Sequence, residues 1–224
     1  MLGHLLPHLK RWSEANVQFE KAHQIHMTWA TENQVSPSED WHYSHNLNLW
    51  SVSLAGVGQI DKALEMMTES CQYDGRACLD LMEASIGVGR LAYFDQISAS
   101  LPAQFARYIV PYTAESSLLR GTKSIDQAAN DLRSLEGFAQ VLTAIYRTSP
   151  GSADETALAT EVARFIRAQT MEAGFDSWGA GFFAGLRISQ AAKRQGLTQV
   201  NEAAMATILD VAPEFSFDVV NYTH

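Results

Sequence analysis

Cysteine is nearly absent from this 224-residue chain, which holds only Cys71 and Cys78, seven positions apart. Two thiols exclude a disulfide-dense secreted scaffold, and their spacing suits neither a disulfide framework nor a zinc knuckle. A reducing cytoplasm is therefore the expected location, where the sequon Asn221-Tyr222-Thr223 stays idle. Positive charge is scarce as well: 16 Lys and Arg face 25 Asp and Glu, for a net charge of -9, and no basic run occurs. Nucleic acid is not an expected partner, because a phosphate backbone demands clustered cations, and an anionic membrane surface is disfavoured on the same ground.

Long apolar runs are also missing, and no stretch approaches the roughly 18 residues that span a bilayer. The opening Met1 to Leu9 has apolar Leu2, Leu5, Leu6 and Leu9. His4, Pro7 and His8 interrupt it, and no small-residue cleavage site follows, so it does not read as a signal peptide. Strand-like alternation is confined to residues 215–220. At 46% hydrophobic and 18% charged, the remainder has the composition of a globular chain.

Helical periodicity dominates that remainder. Helices are predicted near residues 13–32, 37–56, 59–73, 75–87, 91–99, 102–119, 124–147, 153–173, 177–195 and 198–211. Ser36-Pro37-Ser38-Glu39 and Ser152-Ala153-Asp154-Glu155 each read as a capping box opening a helix. Gly121-Thr122-Lys123-Ser124 reads as a turn followed by a helix N-cap, since the upstream glycine of a phosphate loop is missing. Gly181 and Gly185, four apart, predict close helix packing. Phe175, Trp178, Phe182 and Phe183 predict an aromatic seal or groove near the C-terminus, with Phe215, Phe217 and Tyr222 in a tail that folds back as a cap.

Six of the seven histidines fall within the first 45 residues, in three pairs: His4 with His8, His23 with His26, and His42 with His45. Residues three or four apart share a helix face, so each pair offers two imidazoles to one point in space. His4, His8, His42 and His45 are the candidate metal ligands, with zinc, iron or copper as the matching metals. Glu20-x-x-His23 and Glu39-x-x-His42 add carboxylates, but the 19 residues between these motifs leave no room for the intervening helix of a di-iron bundle. The competing role for the imidazoles is structural, as hydrogen-bonding groups between adjacent helices. Among the histidines, His42 and His45 stand out, because with Asn46 they share a helix face near Trp50. No nucleophile elbow or activated cysteine is present, so no catalytic residue is assigned. Trp12, Trp29, Trp41 and Trp50 are expected to pack the first hairpins.

Gly56-Val57-Gly58 and Gly87-Val88-Gly89 lie 31 residues apart, each between an apolar and an amphipathic segment. In the clearest unit Leu47, Trp50 and Leu54 line one helix, Gly58 turns, and Ala63 and Met67 face inward from the next. Partial copies are Trp12 to Ala15 with Phe19 and Ala22, and Ile125 to Ala128 with Leu132 and Leu135. This pattern resembles the tetratricopeptide repeat. The run His42-Tyr43-Ser44-His45-Asn46 and the earlier His4-Leu5-Leu6-Pro7-His8 make residues 4–100 similar to the tetratricopeptide repeat protein 38 family.

The resemblance implies an all-α, helical-hairpin solenoid: a repeat region over residues 1–150 and a helical C-terminal region over 151–224 packed on it. It also implies a scaffold that binds a protein or peptide in the groove of successive first helices, with His42, His45, Asn46 and Trp50 as the polar site. The alternative is a metal-binding protein or metalloenzyme built on the histidine pairs. An apolar N-terminal edge of Leu2, Leu5, Leu6 and Leu9 predicts self-association through that end.

Overall fold

Gly58 and Gly89 carry φ values of +81° and +74°, the left-handed region in which a side chain is strained. At Gly58, the Gln59 amide donates to Leu54 O and the Gly58 amide to Ala55 O. At Gly89, the Arg90 amide donates to Ser85 O and the Gly89 amide to Ile86 O. Both are Schellman caps, which satisfy the last carbonyls of one helix while reversing the chain into the next. The two predicted turns therefore share one geometry, 31 residues apart.

The computed structural model describes residues 2–36, 39–73, 75–101, 106–171 and 178–215. Within them lie twelve α-helices and no strand, so the chain is all-α. They are α1 (Leu2–His8), α2 (Trp12–Asn33), α3 (Trp41–Gly56), α4 (Ile60–Tyr73), α5 (Gly75–Gly87), α6 (Leu91–Ser100), α7 (Ala106–Arg120), α8 (Ile125–Leu132), α9 (Gly137–Arg147), α10 (Ala153–Met171), α11 (Trp178–Gln195) and α12 (Thr198–Val211). No helix among them is long and apolar enough to cross a membrane.

Two helix boundaries depart from expectation. The helix predicted from residue 37 begins at Trp41 instead, with Asp40 as its N-cap: Asp40 Oδ1 accepts the His42 amide at 2.9 Å. Pro37 and Ser38, the centre of the predicted capping box, lie outside the described residues. The single helix predicted over 124–147 is broken into α8, one 3-10 turn at Arg133–Leu135 and α9, with Glu136 at φ +45°. The break re-aims α9 so that Phe138 lies under the Arg187 guanidinium, 3.9 Å from the ring centroid. The cap at Ser124 forms as read from sequence, a reciprocal box with Gln127.

Successive helices α1 to α5 pack each on the next. Leu47, Trp50 and Leu54 of α3 and Ala63 and Met67 of α4 are all buried, as the repeat pattern requires. On α2 the inward face runs Trp12, Ala15, Phe19, His23, His26 and Ala30 in helical register, with Ala22 exposed rather than inward. The C-terminal helices α10, α11 and α12 pack mutually, and Gly185 lets α11 approach α12, where an added Cβ would stand 2.7 Å from Ile208 Cγ1. Gly181 does the same against Thr170 of α10.

Helix α11 also reaches the earlier part of the chain. It meets α5, α7 and α9, and its Gly179 lies so close to α3 that an added Cβ would come within 2.8 Å of Val52 Cγ1. Phe182, Phe183 and Leu186 of α11 join the apolar cluster of α1 to α6, while Ala184, Ile188 and Ala191 join that of α7 to α12. Phe215 packs edge-on to Phe182 at 5.1 Å. Phe175, the Trp178 side chain, Phe217, Tyr222 and the sequon lie outside the described residues.

The two cysteines are joined. Cys71 in the last turn of α4 and Cys78 in α5 are brought to a Cα separation of 4.6 Å by the reversal between these helices, and they form a disulfide. A spacing that is poor on a single helix becomes suitable across a helical corner.

Candidate functional site

At one end of the α2–α3 pair, the helical register of α2 turns two histidines toward α3 in place of apolar core residues. His26 stacks on Tyr43 with ring centroids 4.9 Å apart, and His23 lies 5.7 Å from Tyr43 and 5.3 Å from Trp50. Tyr43 donates its hydroxyl hydrogen bond to Glu69 of α4. Trp50 is buried, and Lys62 sits 4.9 Å above its ring. Asn46 Nδ2 donates to the Phe19 carbonyl at 3.2 Å, tying α3 to α2.

Asp40 links the two helices. Its Oδ1 takes the Nδ1 of His42 at 2.9 Å and its Oδ2 faces the Nδ1 of His26 at 3.4 Å. Partial burial pushes this carboxyl up, but the amide and ring of His42 and the charge of His26 outweigh that and hold it below the usual carboxylate range. His23 is pushed the other way from its charged form: burial lowers it, and the neighbouring His26 adds to the effect against the pull of Glu69 and Glu20. The Nδ1 of His23 and the Nε2 of His26 are buried and lack a hydrogen-bond partner. Tyr43 is held far from ionisation by burial and by Glu69.

Two tryptophans expected in the core stand outside it. Trp29 is 45% exposed and Trp41 66%, whereas Trp12 and Trp50 are buried as expected. Trp29 rests 5.9 Å from His26, and Trp41 stacks 4.1 Å from His42 and 5.3 Å from His45. The line Trp29, His26, Asp40, His42, Trp41 is therefore continuous. Beside Trp29 runs a groove of about 350 Å³ lined by Gln24, Ile25, Thr28 and Glu32. Exposed indoles backed by fixed rings are the usual anchors of a binding surface, since they bury large area at small entropic cost.

Three of the four predicted metal ligands can be placed. His42 and His45 face Asp40 and Trp41, His8 sits on the last turn of α1, and the His4 side chain lies outside the described residues. Among the described residues no group of three or more His, Cys, Asp or Glu side chains is arranged to hold a metal ion. Helix α11 packs on α5, α7 and α9 and approaches α3 at Gly179, the helices that the repeat reading expects to line a partner groove.

A second polar centre went unread in the sequence. Arg187 of α11 and Glu115 of α7 are 3% and 1% exposed, and the guanidinium Nε donates to both Glu115 oxygens at 3.0 and 3.1 Å. Its Nη1 meets Glu83 Oε1 at 2.9 Å, and Tyr112 donates to the same oxygen at 3.0 Å. Burial disfavours the charged guanidinium, but Glu115 and Glu83 more than offset it and hold Arg187 charged. The legible signal was the one charged residue, an arginine, in the otherwise uncharged stretch from Phe182 to Ala192. Between α9 and α10 a groove of about 590 Å³ is lined by Val141, Ala144, Leu158 and Phe165, its charges Glu161 and Arg164 paired with each other.

No family model, curated protein or solved structure matches this chain.

Proposed function

We propose that the chain is a tetratricopeptide-like helical scaffold that binds a protein or peptide partner, and that it does so on the outer Trp29–Trp41 platform. The paired Gly58 and Gly89 turns and the nearest-neighbour packing of α1 to α5 support the repeat reading. With α11 against the first helices, the docking surface moves to the α2–α3 end. The observation that carries the reading is the exposure of Trp29 and Trp41, each with one ring contact to a histidine behind it. Large aromatic side chains bury much apolar area on binding, which makes two exposed indoles strong anchors.

The test is photo-crosslinking from a benzophenone amino acid placed at Thr28, which lines the groove. Cross-links to a discrete protein should disappear in Trp29→Ala/Trp41→Ala. Cross-links that survive the double substitution place the partner elsewhere.

Self-association is a second reading, favoured by Leu5 on α1 and Leu9 just after it, which stay exposed while Leu6 is buried. A concentration-dependent dimer in light scattering that Leu9→Lys dissolves supports it. A cytoplasmic location loses the support of free thiols now that Cys71 and Cys78 pair, because disulfides persist chiefly in oxidising compartments. Thiol labelling of the protein on lysis decides between the two settings: two reactive thiols mean a reducing one.

A further inference from the structure

The docking platform has a charge as well as a shape. Glu32 lines the groove beside Trp29, Glu39 is exposed, and Asp40 sits between the histidines that back both indoles. Among the described residues the groove lining contains no Lys or Arg. The cation of α2, Lys21, lies eleven residues from Glu32, which is about 16 Å along the helix. The chain as a whole carries -9. Exposed indoles, Glu32 beside Trp29 and a negative far field are the complement of one chemistry, a cationic head on an aliphatic stem.

We propose that the Trp29–Trp41 platform recognises a basic segment of a partner protein, with Lys or Arg side chains lying over the indoles and their charged ends at Glu32 and Glu39. The inference rests on the reading of this platform as the docking site and adds the class of its ligand. Stacking on an indole favours the guanidinium or ammonium over a neutral side chain, and Asp40 keeps the supporting imidazoles of His26 and His42 in place. Ile25, 61% exposed in the same groove, takes the apolar residue next to the cation.

The experiment uses the full chain and a displayed random library of peptides about 12 residues long. Selected peptides should be enriched in Lys and Arg. Their affinity should fall by about tenfold on Trp41→Ala and again on Glu32→Lys, and should weaken as salt rises from about 0.05 to about 0.5 M. Both substitutions sit on exposed side chains, and unchanged circular dichroism establishes that the variants fold. Selected peptides without a basic excess, but still lost on Trp29→Ala/Trp41→Ala, overturn the cationic ligand and leave the docking platform standing. No enrichment, or binding indifferent to the double variant, overturns both. A dimer in light scattering that Trp29→Ala/Trp41→Ala dissolves makes a second copy the occupant and overturns the basic peptide.

Discussion

The two polar centres of this protein use the same kinds of group to opposite ends. Around Arg187, the charged side chains are paired within the core: Glu115 grips the guanidinium side-on, Glu83 takes a third nitrogen, and Tyr112 and Phe138 close the faces. At the α2–α3 end the polar atoms are half-covered, two imidazole nitrogens have no hydrogen-bond partner, and large rings stand in water. A buried ion pair gains little over apolar packing, but it penalises every arrangement that separates its members. The first centre fixes where α11 lies, while the second leaves two large indoles exposed and available to another molecule.

The largest effect should come from breaking the first centre. Glu115→Ala leaves a buried guanidinium with one partner fewer, and urea unfolding should show a loss of about 3 to 5 kcal/mol. Arg187→Met with Glu115→Leu should restore most of it. A smaller cost follows from the helical corner: reducing Cys71–Cys78, which closes a loop of seven residues' separation, should cost about 2 kcal/mol, read as a lower melting temperature in dithiothreitol. Cys71→Ser/Cys78→Ser should show the same loss and no further response to reductant.

Acid sharpens the contrast. His23 is depressed in the folded chain, so the unfolded chain takes up its proton first as pH falls below about 6.5. Stability from this group is whole above that value and is lost as pH drops toward the lower folded value. Melting temperature should decline between about pH 7 and pH 5, and His23→Gln should flatten that decline. The smallest effect is at the indoles: Trp41→Ala should change stability by no more than about 0.5 kcal/mol, measured by urea unfolding, while it weakens partner binding by about tenfold. A Trp41→Ala that unfolds the protein would make both centres structural.

Most helix boundaries were legible because local chemistry set them. Gly58, Gly89, Ser124 and Ser152 act through their own backbone or cap, and no distant residue needs to be known. The break at Glu136 was not legible, since the packing partner of α9 just beyond it, Arg187 over Phe138, lies 51 positions later than Glu136. The cap of α3 is Asp40, which also contacts two imidazoles, one of them from the preceding helix. Of the residues expected to form the site, His42 and His45 lie against Trp41, while Asn46 and Trp50 face Phe19, His23 and Lys62. The periodicity from Trp12 through Phe19 to Ala30 already placed His23 and His26 inward. Exposure of Trp29 and Trp41 left no trace in pattern, because a tryptophan at a helix end reads as core by default.

The position of α11 bears on how the chain is made. Gly179 follows Val52, the residue it covers, by 127 positions. At about 5 to 20 residues per second, a ribosome leaves the inner surface of α3 uncovered for about 6 to 25 s after that helix is synthesised. Nascent chains of this protein therefore present an open apolar trough to chaperones for most of their synthesis, and it closes only when Phe182 and Phe183 emerge.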